Sequence, residues 1–156
     1  MDVRDTQYRI MVESDLEFFN EVRNLSVEYL HTKTKFTIED VRKWFTNLKN
    51  PYYIITLGEN RTSIGYIRIS NRKPGSCYIG MDIHPNFRGK GYAQSMYIYI
   101  MEHFHIFSDI HTFYLEVLPT NKRAIHIYKK LGFEVLQQDD NNIKMQKEYD
   151  NKRSQS

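Results

Sequence analysis

The sequence predicts one α/β (α+β) domain, built from a mixed, mostly antiparallel sheet of about seven strands and four helices. Three observations support this fold class. The elements follow in the order β-α-α-β-β-β-α-β-α-β-β, tight turns separate the three short strands in the middle, and a long amphipathic helix comes directly after them. At 156 residues and 40% hydrophobic content, the chain is long enough to bury one core. We expect the domain to span residues 1–150, with a disordered tail at 151–156.

The first part of the chain predicts a strand and two helices. Residues 7–12 ("QYRIMV") form the strand, and Ser14 opens a helix with Glu17 as its partner in a capping box. A second helix starts near Thr37 and ends before Pro51. Apolar residues at helical spacing give these helices a buried face: Leu16, Phe19, Val22, Ile38, Val41, Trp44, Phe45 and Leu48.

The middle of the chain predicts an antiparallel meander and then a helix. Strands are expected at 52–57, 62–70 and 76–83, because the turn sequences "GENR" and "NRKPG" separate them. The helix after the meander has one apolar face, formed by Ala93, Met96, Tyr97, Ile100, Met101, Phe104 and Phe107.

The last part predicts a strand, a helix and a closing hairpin. The strand covers 112–118 and the helix runs from Asn121 to Leu131, with Gly132 in the position of a C-terminal cap. The hairpin strands at 133–137 and 142–149 enclose the turn "DDNN".

Bulk properties exclude several classes of protein. A net charge of +3 is too small to indicate a nucleic-acid partner, although it is compatible with a local basic patch for an anionic ligand. No apolar run approaches the roughly 18–20 residues that span a bilayer, and the charged N-terminus lacks the apolar region of a signal peptide. The single cysteine, Cys77, cannot form an internal disulfide. We therefore expect a cytoplasmic protein without a membrane partner.

The turn "RGKGYA" has the chemistry of an anion-binding site. Gly89 and Gly91 permit backbone conformations and close approaches that a Cβ would forbid. The helix that begins here presents unpaired N–H groups, and Arg88 and Lys90 add positive charge. The turn therefore suits a phosphate or pyrophosphate. A plain strand-to-helix turn with solvated cations is the alternative on this stretch alone.

Two motifs, about thirty residues apart, carry a resemblance to a known family. The first is matched by Arg88, Gly91 and Ala93, and the second by Asn121, Ala124, Tyr128, Gly132 and Phe133. In "IHPNFRGKGYA" and "LEVLPTNKRAIHIYKKLGFE", these motifs resemble those of the GNAT superfamily of acetyl-CoA-dependent N-acetyltransferases. The order of elements also fits, so the resemblance covers residues 7–149.

The resemblance implies acetyl-CoA as the co-substrate. The residues expected to bind its pyrophosphate are Arg88, Gly89, Lys90, Gly91, Tyr92 and Ala93. The strand residues expected to hold the pantetheine arm and polarise the thioester carbonyl are Met81, Asp82 and Ile83. Asn121 is expected to contact the cofactor from the last helix, with Ala124 and Tyr128 on the same helix face.

Acetyl transfer to an amine needs a base, a fixed N–H donor and an acid, because an alkylammonium has a pKa near 10 and the reaction develops an oxyanion. The resemblance implies Tyr128 as the acid and Glu116, in the strand "YLEVL", as the base. Tyr128 as a core residue and Glu116 as a surface residue are the alternatives. Asp82 is a rival base, and the base could also act through water.

Direct attack of the amine in a ternary complex is the expected route. No His or Asp is placed by sequence to activate Cys77, so we interpret this thiol as a packing residue. The six histidines show no metal-ligand spacing, and no metal is predicted.

The resemblance places the acceptor pocket between "VRNLSVEYLHTKTKFT" and the "QQDDNN" turn. Two related branches fit this segment: one acetylates protein N-terminal amines, and the other acetylates amino sugars linked to nucleotides. Basic and aromatic residues of the segment would suit a phosphate-bearing sugar nucleotide: Arg23, Lys33, Lys35, Tyr29, Phe36 and Trp44. Packing between helices is the alternative role for the aromatic residues.

Two other functions stay open at this point. The chain could bind coenzyme A as a regulatory module without turnover. It could also bind nucleic acid through "NRKPG" and "RGKG", although acidic residues are spread evenly among the basic ones. As partners we expect a small-molecule amine, an amino-sugar nucleotide or a protein N-terminus as the acceptor, and the chain to be a monomer or a homodimer.

Overall fold

This computed structural model describes residues 5–150 of the chain, which contain seven strands and four α-helices. The strands are β1 (Thr6–Ile10), β2 (Tyr53–Leu57), β3 (Thr62–Lys73), β4 (Ser76–Ile83), β5 (Thr112–Val117), β6 (Glu134–Gln138) and β7 (Ile143–Glu148). The helices are α1 (Leu16–Leu25), α2 (Ile38–Thr46), α3 (Tyr92–Phe107) and α4 (Lys122–Lys130). The predicted tail at 151–156 lies outside the described residues.

All strands join one sheet in the order β1-β2-β3-β4-β5-β7-β6. Every neighbouring pair is antiparallel except β4 and β5, which run parallel. The predicted meander of β2, β3 and β4 and the predicted closing hairpin are confirmed, and so is the mixed, mostly antiparallel sheet. β4 occupies the predicted range, 76–83.

The parallel pairing between β4 and β5 is short, so the two strands separate and leave a gap in the sheet. β4 and β5 are in register over three residue pairs, the last of which is Tyr78 with Tyr114. Beyond that pair β4 continues to Ile83 and β5 to Val117, with no further pairing between them. The two strands therefore diverge toward their carboxyl ends. Among the seven described strands, none pairs with this edge of β4 there.

Alternating side chains of the sheet bury two cores, one on each face. Ile54 of β2 packs with α1 and α2, through residues such as Val22 and Val41. Its neighbour Ile55 points to the opposite face and packs with α3. At 16 residues, α3 is too short to cross a bilayer, and none of the other helices within residues 5–150 has the length and apolar character to do so.

The first helix begins later than the predicted capping box would place it. α1 starts at Leu16, after a 3-10 turn at Glu13–Asp15, and Ser14 makes no capping hydrogen bond. Asp15 organises this corner instead, because its carboxylate accepts hydrogen bonds from the Val12 amide (2.9 Å) and from both terminal nitrogens of Arg9 (2.7 Å each). The predicted role of Ser14 was wrong because a contact to β1 sets the corner.

Two apolar residues at the ends of elements are exposed. Phe107 was placed on the buried face of α3, but 77% of it is exposed because it is the last residue of the helix. Ile10, in the predicted first strand, is 56% exposed, and β1 ends there. The buried residue at this point is Met11, whose amide donates a hydrogen bond to the Tyr52 carbonyl (2.8 Å).

Candidate active site

The divergence of β4 and β5 opens a cavity of about 640 Å³, called the cofactor cavity below. Every predicted site residue except Lys90 lines it: Met81, Asp82, Ile83, Arg88, Gly89, Gly91, Tyr92, Ala93, Glu116, Asn121, Ala124 and Tyr128. Lys90 is exposed and lies outside the lining. The fold thus brings residues from β4, β5, α3 and α4 to one place, and their individual roles stay predictions.

The turn before α3 depends on two glycines. Gly89 and Gly91 have φ values of 76° and 85°, in the left-handed region that favours glycine. Gly91 is also the N-cap of α3, and no side chain caps this helix end. The N-terminus of α3, which carries the positive partial charge of the helix, therefore lies in the cavity wall, where Gly91, Tyr92 and Ala93 line the cavity.

Arg123 adds a cation to this helix end. A Cβ on Gly89 would lie 2.8 Å from Nη2 of Arg123, so the missing side chain lets Arg123 reach over the turn from α4. A helix N-terminus beside a guanidinium fits the diphosphate of coenzyme A. Sequence reasoning missed Arg123, and its position inside the second motif was the available signal.

Arg88 and Asn121 make contacts within the protein. Arg88 donates from Nε to the Ile83 carbonyl and from Nη2 to Ser26 Oγ, both at 2.8 Å. It thereby joins the turn before α3 to the end of α1. Asn121 caps α4, because its side-chain oxygen accepts from the Ala124 amide at 3.3 Å. Both residues therefore have a structural task at the cavity wall in addition to any contact with a ligand.

Tyr128 presents a neutral phenol to the cofactor cavity. Its hydroxyl lies 3.5 Å from the hydroxyl of Tyr97, and the two rings meet edge to face with centroids 5.7 Å apart. Burial raises the pKa of Tyr128 above its ordinary value, and it raises the pKa of Tyr97 well above it. Both phenols are therefore protonated at neutral pH, which is the state that an acid requires.

Glu116 is held at the cavity by a hydrogen-bonded chain. Asn142, directly before β7, donates from Nδ2 to Glu116 Oε2 at 2.7 Å. The amide oxygen of Asn142 then faces His31 Nε2 at 2.8 Å, so the imidazole is the donor in this pair. The chain connects three separate segments around the carboxylate. From the sequence, we expected the His31 loop and the Asn142 turn at the acceptor pocket, but the sequence did not indicate their hydrogen bonds toward Glu116.

The family model described as "Acetyltransferase (GNAT) domain" matches residues 8–134. The chain belongs to this GNAT acetyltransferase family. The resemblance carried by the two motifs is therefore confirmed, together with the GNAT-type fold. In this GNAT domain, a cavity lies between β4, the glycine turn and α4, the segments that hold the predicted site residues.

Individual relatives agree with the family assignment. The spermidine N(1)-acetyltransferase of Vibrio cholerae is 27% identical over 123 residues, which is 78% of this chain but 62% of the relative's own length. A domain from Methanocaldococcus jannaschii superposes with a TM-score of 0.83 at 20% identity, over 92% of this chain and 97% of that one. A Vibrio cholerae spermidine N-acetyltransferase in complex with CoA and spermine gives a TM-score of 0.80 at 18% identity, over 93% and 96%. At these identities the structures show a shared fold.

A second cavity of about 500 Å³ adjoins the first and is called the acceptor cavity below. It lies under α1, α2 and the loop between them, and six aromatic side chains line it: Phe19, Phe36, Trp44, Tyr52, Tyr66 and Tyr78. The residues that line both cavities are Leu30, Arg68, Ile79, Leu115 and Glu116. The two cavities of the GNAT domain therefore meet at the predicted base.

The predicted basic residues of the acceptor segment divide into two groups. Arg23 lines the acceptor cavity, whereas Lys33 and Lys35 are exposed and do not line it. The Lys33 ammonium instead donates to the Glu28 carbonyl at 2.6 Å. Phe36 and Trp44 line the acceptor cavity, and Tyr29 lines the cofactor cavity.

Asp82, the rival base, is engaged by its neighbours. Its carboxylate accepts a hydrogen bond of 2.5 Å from the buried Tyr66 hydroxyl and lies 3.9 Å from Nη1 of Arg68. Its side chain is 12% exposed, whereas Glu116 is an exposed residue. A Cβ on Gly80 would collide with the Arg68 guanidinium, so glycine at this position gives the arginine its place beside Asp82.

Cys77 is buried and lines neither cavity. Burial raises the pKa of its thiol to about 11, so the thiol is protonated at neutral pH and is a poor nucleophile. Among residues 5–150, no three His, Cys, Asp or Glu side chains are grouped closely enough to hold a metal ion.

Proposed function

We propose that the protein is an acetyl-CoA-dependent N-acetyltransferase that moves the acetyl group to a primary amine by direct attack within a ternary complex. The observation that carries this proposal is the position of Glu116, in the wall that the cofactor and acceptor cavities share. Two substrates bound in these cavities would meet at that carboxylate. A covalent relay is not needed, since Cys77 lies away from both cavities.

The binding of acetyl-CoA would use groups that the fold already directs into the cofactor cavity. The N-terminus of α3 and the Arg123 guanidinium would receive the diphosphate. The edge of β4 beyond Tyr78 has no strand partner within residues 5–150, so its backbone groups can pair with the pantetheine amides. Acetyl-CoA supplies the activated thioester that the amine attacks.

Glu116 would act as the base. A primary amine is mostly an ammonium at neutral pH and must lose a proton before it attacks. Glu116 would accept this proton directly or through one water molecule. Asn142 supports this role, because its amide donates to one carboxylate oxygen and leaves the other for the ammonium. Asp82 is less suited, because Tyr66 and Arg68 engage its carboxylate.

Tyr128 would act as the acid. The leaving thiolate gains a proton when the thioester bond breaks, and the phenol of Tyr128 is a protonated donor in the cavity wall. The Tyr97 hydroxyl, 3.5 Å away, is placed to return a proton or a hydrogen bond to Tyr128. Proton release and proton delivery thus fall to residues on two different elements, β5 and α4.

The acceptor is a primary amine small enough for a cavity of about 500 Å³ or able to insert one end into it. A protein N-terminal amine and an amino sugar on a nucleotide are the acceptors that the resemblance of the acceptor segment favours. The spermidine acetyltransferase of Vibrio cholerae adds a polyamine to this set by similarity. One acetyl-CoA consumption screen can cover these three classes.

The test combines that screen with two variants and their matched controls. Glu116→Gln and Tyr128→Phe should each lower kcat at least 100-fold with the best acceptor. Glu134→Gln and Tyr99→Phe change the same residue types at exposed positions outside both cavities, and they should keep the wild-type rate. Wild-type kcat in both active-site variants would refute the assigned roles. Tight acetyl-CoA binding without consumption with any amine would indicate a regulatory module instead.

A further inference from the structure

We propose that the acceptor is an anionic amine, in which one molecule carries both the reacting amine and a carboxylate or phosphate group, and that Arg68 binds this anion. The inference rests on the proposed N-acetyltransferase function and narrows its substrate class. It follows from which charged residues line the acceptor cavity and from which of them already contact other groups of the protein.

Positive charge outweighs negative charge in the acceptor cavity. Among residues 5–150, the Arg, Lys, Asp and Glu residues that line it are Arg23, Arg68 and Glu116. In the proposed reaction the carboxylate of Glu116 pairs with the reacting amine. The rest of the acceptor then faces the guanidinium groups of Arg23 and Arg68, while the Asp82 carboxylate, 3.9 Å from Arg68 Nη1, lines the cofactor cavity and not this one.

Arg23 is already bound within the protein. It donates from Nη1 to the Thr34 carbonyl at 2.9 Å, and its guanidinium lies 3.7 Å from the centre of the Phe36 ring. The residue is 8% exposed. Arg23 therefore contributes positive potential to the cavity wall but has few groups free for a ligand.

Arg68 is the guanidinium that remains available. Its side chain is 37% exposed, and it lines the acceptor and cofactor cavities where they meet. Asp82 forms an ion pair with Arg68 at 3.9 Å from Nη1, which is beyond hydrogen-bond distance, and its carboxylate accepts a hydrogen bond from Tyr66. Within residues 5–150 Arg68 therefore has an ion-pair partner but makes no side-chain hydrogen bond, and its N–H groups can still donate to a ligand. A carboxylate or phosphate would supply two acceptors in the geometry that a guanidinium prefers.

A polyamine fits this cavity poorly. Its second and third ammonium groups would face Arg23 and Arg68, and like charges in a partly buried cavity repel. The six aromatic side chains of the wall favour a ring or an apolar chain between the amine and the anion. The positive charge of the cavity therefore disfavours a polyamine acceptor, although the chain is similar to a spermidine acetyltransferase.

The test uses matched pairs of acceptors and two readouts. One pair is glucosamine and glucosamine 6-phosphate, and the other is a short peptide with a free N-terminus and either aspartate or lysine at its second position; spermidine is the cationic reference. Calorimetry measures binding to the CoA-loaded protein, and thiol release gives kcat/KM. We expect the anionic member of at least one pair to bind at least tenfold more tightly. The pair that shows the preference distinguishes phosphate from carboxylate.

Substitution of Arg68 connects the preference to this residue. Arg68→Gln should reduce the preference to less than threefold, and Arg68→Lys should keep part of it because the charge remains. Arg42→Gln removes a positive charge from the exposed side of α2 and should leave the preference unchanged. Thermal unfolding checks that each variant folds. If the Arg68 variants do not fold, the preference of the wild-type protein for anionic acceptors tests the proposal by itself.

The outcomes separate this inference from the function on which it rests. Tighter binding of spermidine than of every anionic probe, or an unchanged preference in folded Arg68→Gln, would overturn the anion site. If anionic probes bind through Arg68 but no amine is acetylated, the proposed function fails while the anion site stands. If cationic amines are acetylated efficiently and anionic ones are not, the function stands and the anion site fails.

Discussion

Substitution of Gly91 by aspartate places a carboxylate where we expect the diphosphate of acetyl-CoA to bind. Gly91 is the N-cap of α3 and has a φ of 85°. Any other residue at this φ costs about 1–2 kcal/mol of strain, because the left-handed region is unfavourable once a Cβ is present. Asparagine carries nearly the same shape and the same strain without the charge. The difference between Gly91→Asp and Gly91→Asn therefore isolates the electrostatic effect.

The size of that effect follows from Coulomb's law. Two unit charges about 5 Å apart at an effective dielectric constant near 20 repel by about 3 kcal/mol. Such a penalty corresponds to roughly a 100-fold loss of affinity, since 1.4 kcal/mol is a factor of ten. We expect Gly91→Asn to weaken acetyl-CoA binding by less than about tenfold and Gly91→Asp by about 100-fold more than that.

Calorimetric titration with acetyl-CoA measures the two affinities, and thermal unfolding shows whether both variants are folded. Added salt should reduce the difference between them, because screening weakens a charge effect and leaves a steric effect unchanged. Equal acetyl-CoA affinity in Gly91→Asp and the wild type would refute the assignment of the diphosphate to this turn.

Three further predictions concern the acid, the base and the fold. Tyr128→Phe should lower kcat about 100-fold while the acetyl-CoA dissociation constant changes less than threefold, as stopped-flow kinetics and calorimetry can show. Asn142→Ala should lower kcat/KM about tenfold, because Glu116 loses the amide that orients it; an unchanged kcat/KM would contradict this positioning role. Hydrogen bonds from Arg9 hold the pKa of Asp15 below its ordinary value, so this carboxylate stabilises the fold above about pH 4 and ceases to do so as pH falls through its folded-state pKa. Asp15→Asn should therefore reduce the free energy of unfolding at pH 7 by roughly 1–2 kcal/mol, and the difference from wild type should shrink below about pH 4 in chemical unfolding curves; a pH-independent difference would contradict this.

Local patterns in the sequence predicted most of the fold. Period-two and period-3.6 patterns with glycine-rich turns located the strands and helices, and β4 coincides with its predicted range. The errors occurred where distant contacts override local preference. The corner before α1 is set by Arg9 and Asp15 rather than by Ser14, and Phe107 is exposed because the helix ends there.

The site was predictable where a motif carried it. The glycine turn and the Asn121 to Phe133 motif located the residues that line the cofactor cavity. Arg123 lies inside the second motif, but its contact with the turn depends on how α4 packs beside Gly89, and the motif does not show that packing. Likewise, the hydrogen bond between His31 and Asn142 joins residues 111 positions apart. Their relation to Glu116 became visible only once the chain was folded.

The charge of the acceptor cavity also required the fold. The sequence shows Lys33, Lys35 and Arg23 in one segment, and all three were expected to contribute to an anion site. The fold leaves the two lysines outside the cavity and brings in Arg68 from β3. A pleated strand alternates its faces, so the face of Arg68 was fixed, but its neighbours across the cavity come from other elements.

A crystal structure of the protein with bound CoA tests the central claim most directly, which is that the two cavities hold the two substrates on either side of Glu116. We expect the diphosphate at the backbone N–H groups of residues 89–93, the pantetheine arm along β4 and the sulfur within hydrogen-bond reach of the Tyr128 hydroxyl. CoA bound elsewhere on the protein, or with its sulfur directed away from Tyr128 and Glu116, would contradict the account.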